Sequence, residues 1–387
     1  MEQRKINKIL FISYQFEPSL LVGAKRVSYW ANNICKVDET FECDVITATP
    51  QNTAMKVNKG SIRSIYYVEN KSKSLLTSFI KDEGVTWKQD LTFFFKQNPE
   101  LAYDFVLLSG GPFMHFSIAP FLKQKFNARI ILDFRDPFSN NPRFGKQFLK
   151  KIVKRRLETK FIEHADIIIS VNKYCLDLLS KKFEHSNKYF IIDNGYNESV
   201  LEKVSKIDLD RSKINLVYAG KIYRQSHLSN LLKLITSTQY KDRYVFHYVG
   251  SNDLFFDRYR NSNNIILHGL KSYLETLNII SSSDVGIIFT SGDEFESTTK
   301  VFDYIGLEKT ILIISEGRLK TGNLQEITKD YPSIFWCNNK TDDIEGILRN
   351  LNKKDLIFRY PNKDNLSRRQ GLTKLISILK KNRYEIT

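Results

Sequence analysis

The sequence predicts an α/β protein built from two doubly wound, parallel-sheet domains. Three observations carry this. Short apolar, β-branched runs alternate with amphipathic helical patterns along the chain, as expected for strands covered on both faces by crossover helices. The alternation comes in two series, parted by a turn cluster and a polar stretch within 193–213. The chain has 387 residues, more than one typical domain holds, and its 42% hydrophobic and 13% aromatic content lets each half bury a core.

The first series has candidate strands at 8–14, 43–48, 62–67, 105–109, 129–133, 167–171 and 189–192. Amphipathic helices are expected between them, notably over 24–36 and 116–126. Asp193-Asn194-Gly195-Tyr196-Asn197 then reads as a turn cluster, followed by the polar stretch 202–213. The second series has strands at 215–218, 245–249, 265–267, 285–289, 311–314 and 334–336, with helices over 229–236 and 273–281. A last helix is expected over 366–381. The domains are therefore expected at 1–195 and 196–365, with 366–387 a C-terminal helix returning to the first.

Composition narrows the function classes. The four cysteines (Cys35, Cys43, Cys175, Cys337) are scattered and form no CxxC pair, so they read as reduced thiols rather than a disulfide framework or zinc site. No stretch approaches the ~20 apolar residues of a membrane span. The N-terminal residues run straight into the apolar strand at 9–13, too short for a signal-peptide core, which predicts a cytoplasmic protein. Net charge is +16, which favours an anionic partner such as phosphorylated substrates or anionic headgroups, although Lys-rich composition alone supplies part of it. Nucleic acid is not expected, because no helix-turn-helix, RNP-like or KH-like signature is present.

Residues 297–315 are the most informative segment. Hydroxyl residues Ser297, Thr298 and Thr299 precede Lys300, a short amphipathic run carrying Asp303, and a β-branched strand. A helix N-terminus with free N–H groups suits a phosphate, Lys300 adds charge, and Asp303 is placed to accept hydrogen bonds from sugar hydroxyls. The plain alternative is a capped helix. Ligands of open α/β sheets bind beyond the carboxyl ends of strands, so polar residues that follow strands matter most. After the first strand come Gly23, Lys25 and Arg26. After the fourth come Ser109-Gly110-Gly111-Pro112 and His115, readable as a general base, a donor to a sugar, or a structural histidine. Asp133-Phe134-Arg135-Asp136-Pro137 follows, with alternation placing Asp133 and Arg135 on one side and Asp136 on the other; the plain alternative is an Asp–Arg brace. In the second half, Ala219-Gly220-Lys221-Ile222-Tyr223-Arg224 suits a diphosphate, and Gly250 and Gly269 end two further strands. Asp208-Leu209-Asp210 precedes a strand and reads as a solvated turn, not a metal motif.

In this order these residues resemble the GT-B glycosyltransferases, more narrowly the family-4-like retaining group. Asp193-Asn194-Gly195-Tyr196-Asn197 is similar to that group's Pro-Asn-Gly-Val-Asp interdomain signature. Tyr218-Ala219-Gly220-Lys221 is similar to its diphosphate loop. Thr299-Lys300-Val301-Phe302-Asp303-Tyr304 is similar to its Ser-Lys-x-x-Glu-Tyr helix. Asp133-Phe134-Arg135-Asp136-Pro137 resembles an Asp-x-Arg-Asp-Pro-Trp variant, with Phe138 for Trp. The resemblance departs at three places. Asp303 stands for Glu, Phe295 (between Glu294 and Glu296) stands where a first glutamate is usual, and Lys309-Thr310 stands for Lys-Pro. A divergent enzyme and a pseudo-enzyme both remain open.

The resemblance implies sugar transfer from a nucleotide donor, a UDP-sugar first, to a hydroxyl of a glycan or lipid-linked acceptor, with retained configuration, in bacterial surface-polysaccharide synthesis. It implies Asp136, His115 and Arg135 as catalytic residues. It implies Gly23, Gly220, Lys221, Arg224, Gly250, Thr298, Thr299, Lys300 and Asp303 as donor-binding residues. No metal or cofactor is expected, because basic residues and a helix dipole can stabilise a leaving diphosphate. A sugar-nucleotide epimerase and a non-catalytic partner subunit are the alternatives. Finally, 146–164 reads as a basic amphipathic helix whose Leu149, Ile152, Val153, Leu157 and Phe161 share a face. It is either packed on the sheet or leaning on anionic membrane at the inner face of the cytoplasmic membrane. Trp87 reads as an interfacial aromatic or a core residue.

Overall fold

A computed structural model describes residues 6–19, 21–50, 62–144, 148–180, 187–222, 225–251, 254–259, 261–296 and 298–382. The chain divides into two units, Met1–Asp193 with Gly371–Thr387, and Asn194–Gln370.

The first unit holds strands β1 (Asn7–Ser13), β2 (Phe41–Thr47), β3 (Ile62–Tyr67), β4 (Phe105–Ser109), β5 (Arg129–Phe134), β6 (Ile167–Ser170) and β7 (Tyr189–Ile191). They form one sheet in the order β3-β2-β1-β4-β5-β6-β7, with every pairing parallel. Its helices are α1 (Val22–Val37), α2 (Leu75–Ile80), α3 (Gly84–Gln97), α4 (Ala119–Phe126), α5 (Phe148–His164) and α6 (Lys173–Ser180). Alternation along the strands divides the core between two faces. Leu10, Ile12, Val106, Leu108, Ile130 and Leu132 meet Trp87, Leu91 and Phe95 of α3, Leu122 of α4 and Phe161 of α5. Ile9, Phe11, Phe105, Leu107 and Ile131 meet Val27, Trp30, Ala31 and Ile34 of α1. That spacing of i, i+3, i+4 and i+7 makes α1 a helix with one apolar stripe.

The second unit holds α7 (Glu198–Leu201), β8 (Ile214–Ala219), α8 (Gln225–Ile235), β9 (Tyr244–Val249), β10 (Ile265–Leu267), α9 (Tyr273–Ser282) and β11 (Val285–Thr290). It continues through α10 (Thr299–Gly306), β12 (Thr310–Ser315), α11 (Gly322–Thr328), β13 (Ile334–Asn338) and α12 (Thr341–Asn350). The strand order is β10-β9-β8-β11-β12-β13, again parallel throughout. Leu216, Phe246, Leu312 and Ile314 pack on α8 and α12. Val217, Ile288, Ile311 and Ile313 pack on α9, α10 and α11. Ser272 and Glu275 close a capping box at the start of α9. The last helix, α13 (Arg368–Lys381), buries Leu372, Leu375, Ile376 and Leu379 in the α1 face of the first unit.

All thirteen strands lie where the sequence puts them, within two residues at each end. The helix expected over 116–126 is a 3₁₀ turn, Met114–Ile118, followed by α4. Pro120 stands in the first turn of α4, where its missing N–H costs nothing. Of the two sequence readings of Trp87, the core one holds: it is fully buried and donates its indole N–H to the Val68 carbonyl at 2.8 Å. One sequence reading needs correction. The apolar face of α5 is not continuous. Phe161, with Ile162, is buried and Leu157 packs partly, but Leu149 and Ile152 face solvent, because the helix meets the core only along its second half.

Candidate functional site

In doubly wound sheets the crevice for a ligand opens where strand order reverses. In the second unit that point lies between β8 and β11. Their ladder has only two rungs, Val285–Leu216 and Gly286–Val217, so the strands part toward their carboxyl ends. The Tyr304 hydroxyl of α10 sits in the gap and donates to the carbonyls of Ile287 at 3.2 Å and Val217 at 3.4 Å. Gly286 permits this approach, since a Cβ there would stand 2.6 Å from the Tyr304 ring.

Lys300 lies one helical turn before Tyr304 and therefore on the same face of α10. Its ammonium is 4.7 Å from the centroid of the Tyr218 ring, a cation–π contact. It also covers the turn after β8. Gly220 has φ +128°, and a Cβ there would stand 2.8 Å from the Lys300 side chain, so the turn needs glycine on both counts. Gly250 ends β9 beside it: its own Cβ would meet the Gly220 carbonyl at 2.7 Å. Tyr218 donates its hydroxyl to the Lys221 carbonyl at 2.9 Å, holding the turn, while the Lys221 side chain is exposed. Thr298 caps α10 in an extended conformation without a side-chain cap bond, and α10 starts at Thr299. The first N–H groups of a helix lack intrahelical partners and carry a partial positive charge. Lys300, Gly220, Gly250, Thr298 and Thr299 thus meet at the carboxyl edge of one sheet. Ser297 and Arg224 lie outside the described residues.

Asp303, also on α10, is buried and accepts a 2.5 Å hydrogen bond from the Tyr273 hydroxyl at the start of α9. Burial, chiefly, raises the Tyr273 pKa, and the Asp303 carboxylate adds to it, so Tyr273 stays a donor. Sequence reasoning missed Tyr273: thirty residues separate it from Asp303, and no local pattern marks it. Of the acids around Phe295, Glu296 turns back to accept from Thr290 and Ser291, and Glu294 is exposed beside Arg318 at 3.7 Å. Phe295 itself is buried. Asp210 accepts from the Ser212 N–H at 2.9 Å in an exposed turn.

In the first unit the sequence-predicted residues divide. Arg135 donates through Nε to the Gly110 carbonyl at 2.8 Å, and its terminal nitrogens donate to the carbonyls of Gly23 and Gly110. Gly23 lies in the first turn of α1, where a Cβ would strike Gln15. Arg135 and Gly23 therefore brace the loops after β1, β4 and β5. Asp133 is fully buried, takes a 2.9 Å hydrogen bond from Ser109 and pairs with Arg26 at 3.3 Å. Arg26 in turn donates to the Ile192 and Asp193 carbonyls at 2.8 and 3.0 Å. Asp136 is exposed at the end of β5; desolvation still raises its carboxyl, with Arg143 and Arg135 pulling it back down. His115 is not a residue that meets a substrate. It is fully buried, its ring centroid 5.2 Å from that of Trp87, and burial with the nearby Arg135 charge pushes its pKa down to about 3.

Among the described residues, no three His, Cys, Asp or Glu side chains are grouped to hold a metal ion, and no helix is long and apolar enough to cross a membrane. The cysteines form no disulfide.

No protein-family model matches the chain, and no curated protein matches it by sequence. Solved structures do. Sucrose-phosphate synthase from Thermosynechococcus elongatus is similar with a TM-score of 0.69 and 12% identity, over 97% of this chain and 98% of that one. HepE of Anabaena, in complex with UDP and glucose, has a TM-score of 0.66 at 11% identity, over 97% of this chain and 100% of that one. A putative UDP-N-acetylglucosamine 2-epimerase from Listeria monocytogenes has a TM-score of 0.65 at 14% identity, over 99% of this chain and 98% of that one. The chain has the GT-B fold, two doubly wound α/β units in tandem.

Proposed function

We propose that this protein is a retaining glycosyltransferase of the family-4-like group. It moves a sugar from a nucleotide donor, a UDP-sugar first, to a hydroxyl of a glycan or lipid-linked acceptor. Its setting is bacterial surface-polysaccharide synthesis, lipopolysaccharide or capsule, at the inner face of the cytoplasmic membrane. The observation that carries this reading is Lys300 at the N-terminus of α10, lying over Gly220 where β8 and β11 part. That arrangement suits a diphosphate: a fixed ammonium, a helix N-terminus and a turn without side-chain bulk. The complex of HepE with UDP and glucose supports a uridine nucleotide.

In this mechanism the cost of transfer lies in the departing diphosphate and the oxocarbenium-like sugar. Lys300 and the α10 dipole stabilise the first without a metal. Asp303, held by Tyr273, accepts hydrogen bonds from the ribose. The leaving phosphate takes the acceptor proton, so no carboxylate pair of the glycosidase kind is needed. Asp136, exposed at the end of β5, is the acid assigned to the acceptor in this reading, and Arg135 shapes the loops around it.

A thermal-shift panel of nucleotides and nucleotide sugars tests the donor site. A ligand at ~100 times its dissociation constant stabilises the fold by roughly 2.7 kcal/mol. One nucleotide family should shift the wild type and fail to shift Lys300→Ala; no shift with any of them sinks the reading. The epimerase of similar fold supplies a second reading. It is favoured if an altered sugar and free nucleotide form from UDP-N-acetylglucosamine with no acceptor present.

A further inference from the structure

Among the described residues, the first unit carries an apolar patch that its own core does not cover. On α2, Leu75 is 93% exposed, and Leu76 and Phe79 are also open to solvent. On α5, Phe148 and Leu149 are each 73% exposed, with Ile152 beside them. The two helices adjoin, the Lys150 ammonium lying 5.8 Å from the Phe79 ring centroid. Single exposed apolar residues are ordinary, but six on two adjoining helices form a patch of the kind that binds something.

The surroundings of the patch indicate what it binds. Lys151, Arg155 and Arg156 are exposed along α5, and that helix carries six Lys and Arg residues against two glutamates. One of the two, Glu158, is buried against Ser139. Apolar side chains leading and cations following along one helix fit a bilayer, with the apolar groups at the acyl boundary and the cations among anionic headgroups. A protein partner of ordinary composition would leave this row of cations without counter-charges.

Both helices are fixed to the strand-end loops of the candidate site. Asp82, just past α2, accepts the N–H groups of Phe113 and Met114 after β4 at 2.8 and 3.1 Å. Glu158 of α5 accepts the Ser139 N–H at 2.9 Å and its hydroxyl at 2.6 Å, three residues past Asp136. Lys154 lies 5.1 Å from the Phe138 ring centroid. The patch therefore belongs to the carboxyl edge of the first sheet.

We propose that α2 and the first half of α5 form a docking surface for an anionic lipid bilayer, which brings the loops after β4 and β5 to the membrane. This deepens the reading above by naming the surface through which a lipid-linked acceptor is met, and it rests on that reading only for its purpose.

The test is sedimentation of the full chain with vesicles of phosphatidylcholine alone and of phosphatidylcholine with phosphatidylglycerol. Two variants change only exposed positions: L75S with L149S, and K151E with R155E and R156E. The wild type should bind the anionic vesicles, bind neutral ones weakly and release with salt. The triple charge variant should lose roughly 100-fold or more in partitioning, and the apolar variant should lose binding as well. Equal binding to neutral vesicles, or variants that bind like the wild type, overturns the proposal. So does a wild-type dimer that the apolar variant abolishes without any vesicle binding, which would assign the patch to a second copy of the chain. Nucleotide thermal shifts recorded on the same samples separate the two readings. A wild type that gives the nucleotide shift but binds no vesicles fells only the docking surface, and one that binds the anionic vesicles without any nucleotide shift fells only the donor site.

Discussion

The Tyr273–Asp303 hydrogen bond tests how the donor site is built. A hydroxyl donating to a buried carboxylate contributes about 1.5–3 kcal/mol, and without it Asp303 loses its bonded donor on that side. Tyr273→Phe should lower the urea midpoint of the second unit and weaken nucleotide binding several-fold; unchanged affinity would mean that Tyr273 braces the unit and positions nothing. This pair also shows what a sequence conceals. Lys300, Gly220 and Asp303 were legible because each sits in a local pattern, a strand end or a helix start whose chemistry is fixed by neighbours in the chain. Tyr273 acts on a residue in another element, and nothing in its own window announces it. His115 looked like a site residue for the same local reason, following a Gly-Gly-Pro turn at a strand end. Its ring lies instead among Trp87 and Phe116, a consequence of packing that spacing does not encode.

At the scale of elements, α10 is held against the parting strands by one contact that tolerates no extra atom. A methyl group at Gly286 would stand 2.6 Å from the Tyr304 ring, and overpacking of a formed core costs typically about 1–3 kcal/mol. Gly286→Ala should therefore destabilise the second unit by that amount and displace α10 from the sheet. Lys300 then moves off Gly220, so the nucleotide thermal shift should fall further than the stability alone accounts for. A shift equal to the wild type's would show that Lys300 does not depend on the seat of α10. The strands themselves were readable because parallel strands buried on both faces are nearly unbroken apolar runs. The helices were less so. The stripe of α5 spoils at Leu149 and Ile152, since periodicity reports which residues share a face, and only the tertiary fold says how much of that face finds a partner.

For the whole molecule, burial of titratable groups makes acid act differently on the two units. In the first, His115 is held neutral, its pKa down at about 3 from an ordinary 6.5, and burial raises Glu158 to about 7 from an ordinary 4.5. Between pH 4.5 and 6.5 the unfolded chain binds the histidine proton and the native unit does not, so stability rises with pH. Over the same range the native unit keeps the glutamate proton and the unfolded chain has lost it, so stability falls with pH. The two slopes are each on the order of 1.4 kcal/mol per pH unit and oppose one another. In the second unit His247 is lowered to about 4 by burial and by His268 beside it. His247 donates its Nε2–H to Asn215 Oδ1 at 3.0 Å, which leaves Nδ1 to accept from His268 Nε2, also at 3.0 Å. Protonating His247 would set two N–H groups against each other. Among the described residues of that unit no glutamate is buried to oppose it. Calorimetry from pH 7 to 4.5 should therefore show the second unit losing stability first, with the first unit nearly level. Glu158→Gln should uncover the histidine slope in the first unit, making it acid-sensitive. His115→Phe should leave the glutamate slope alone, so that the first unit gains stability as pH falls. Two transitions that move together in all three proteins would show that His115 and Glu158 do not titrate as their burial dictates.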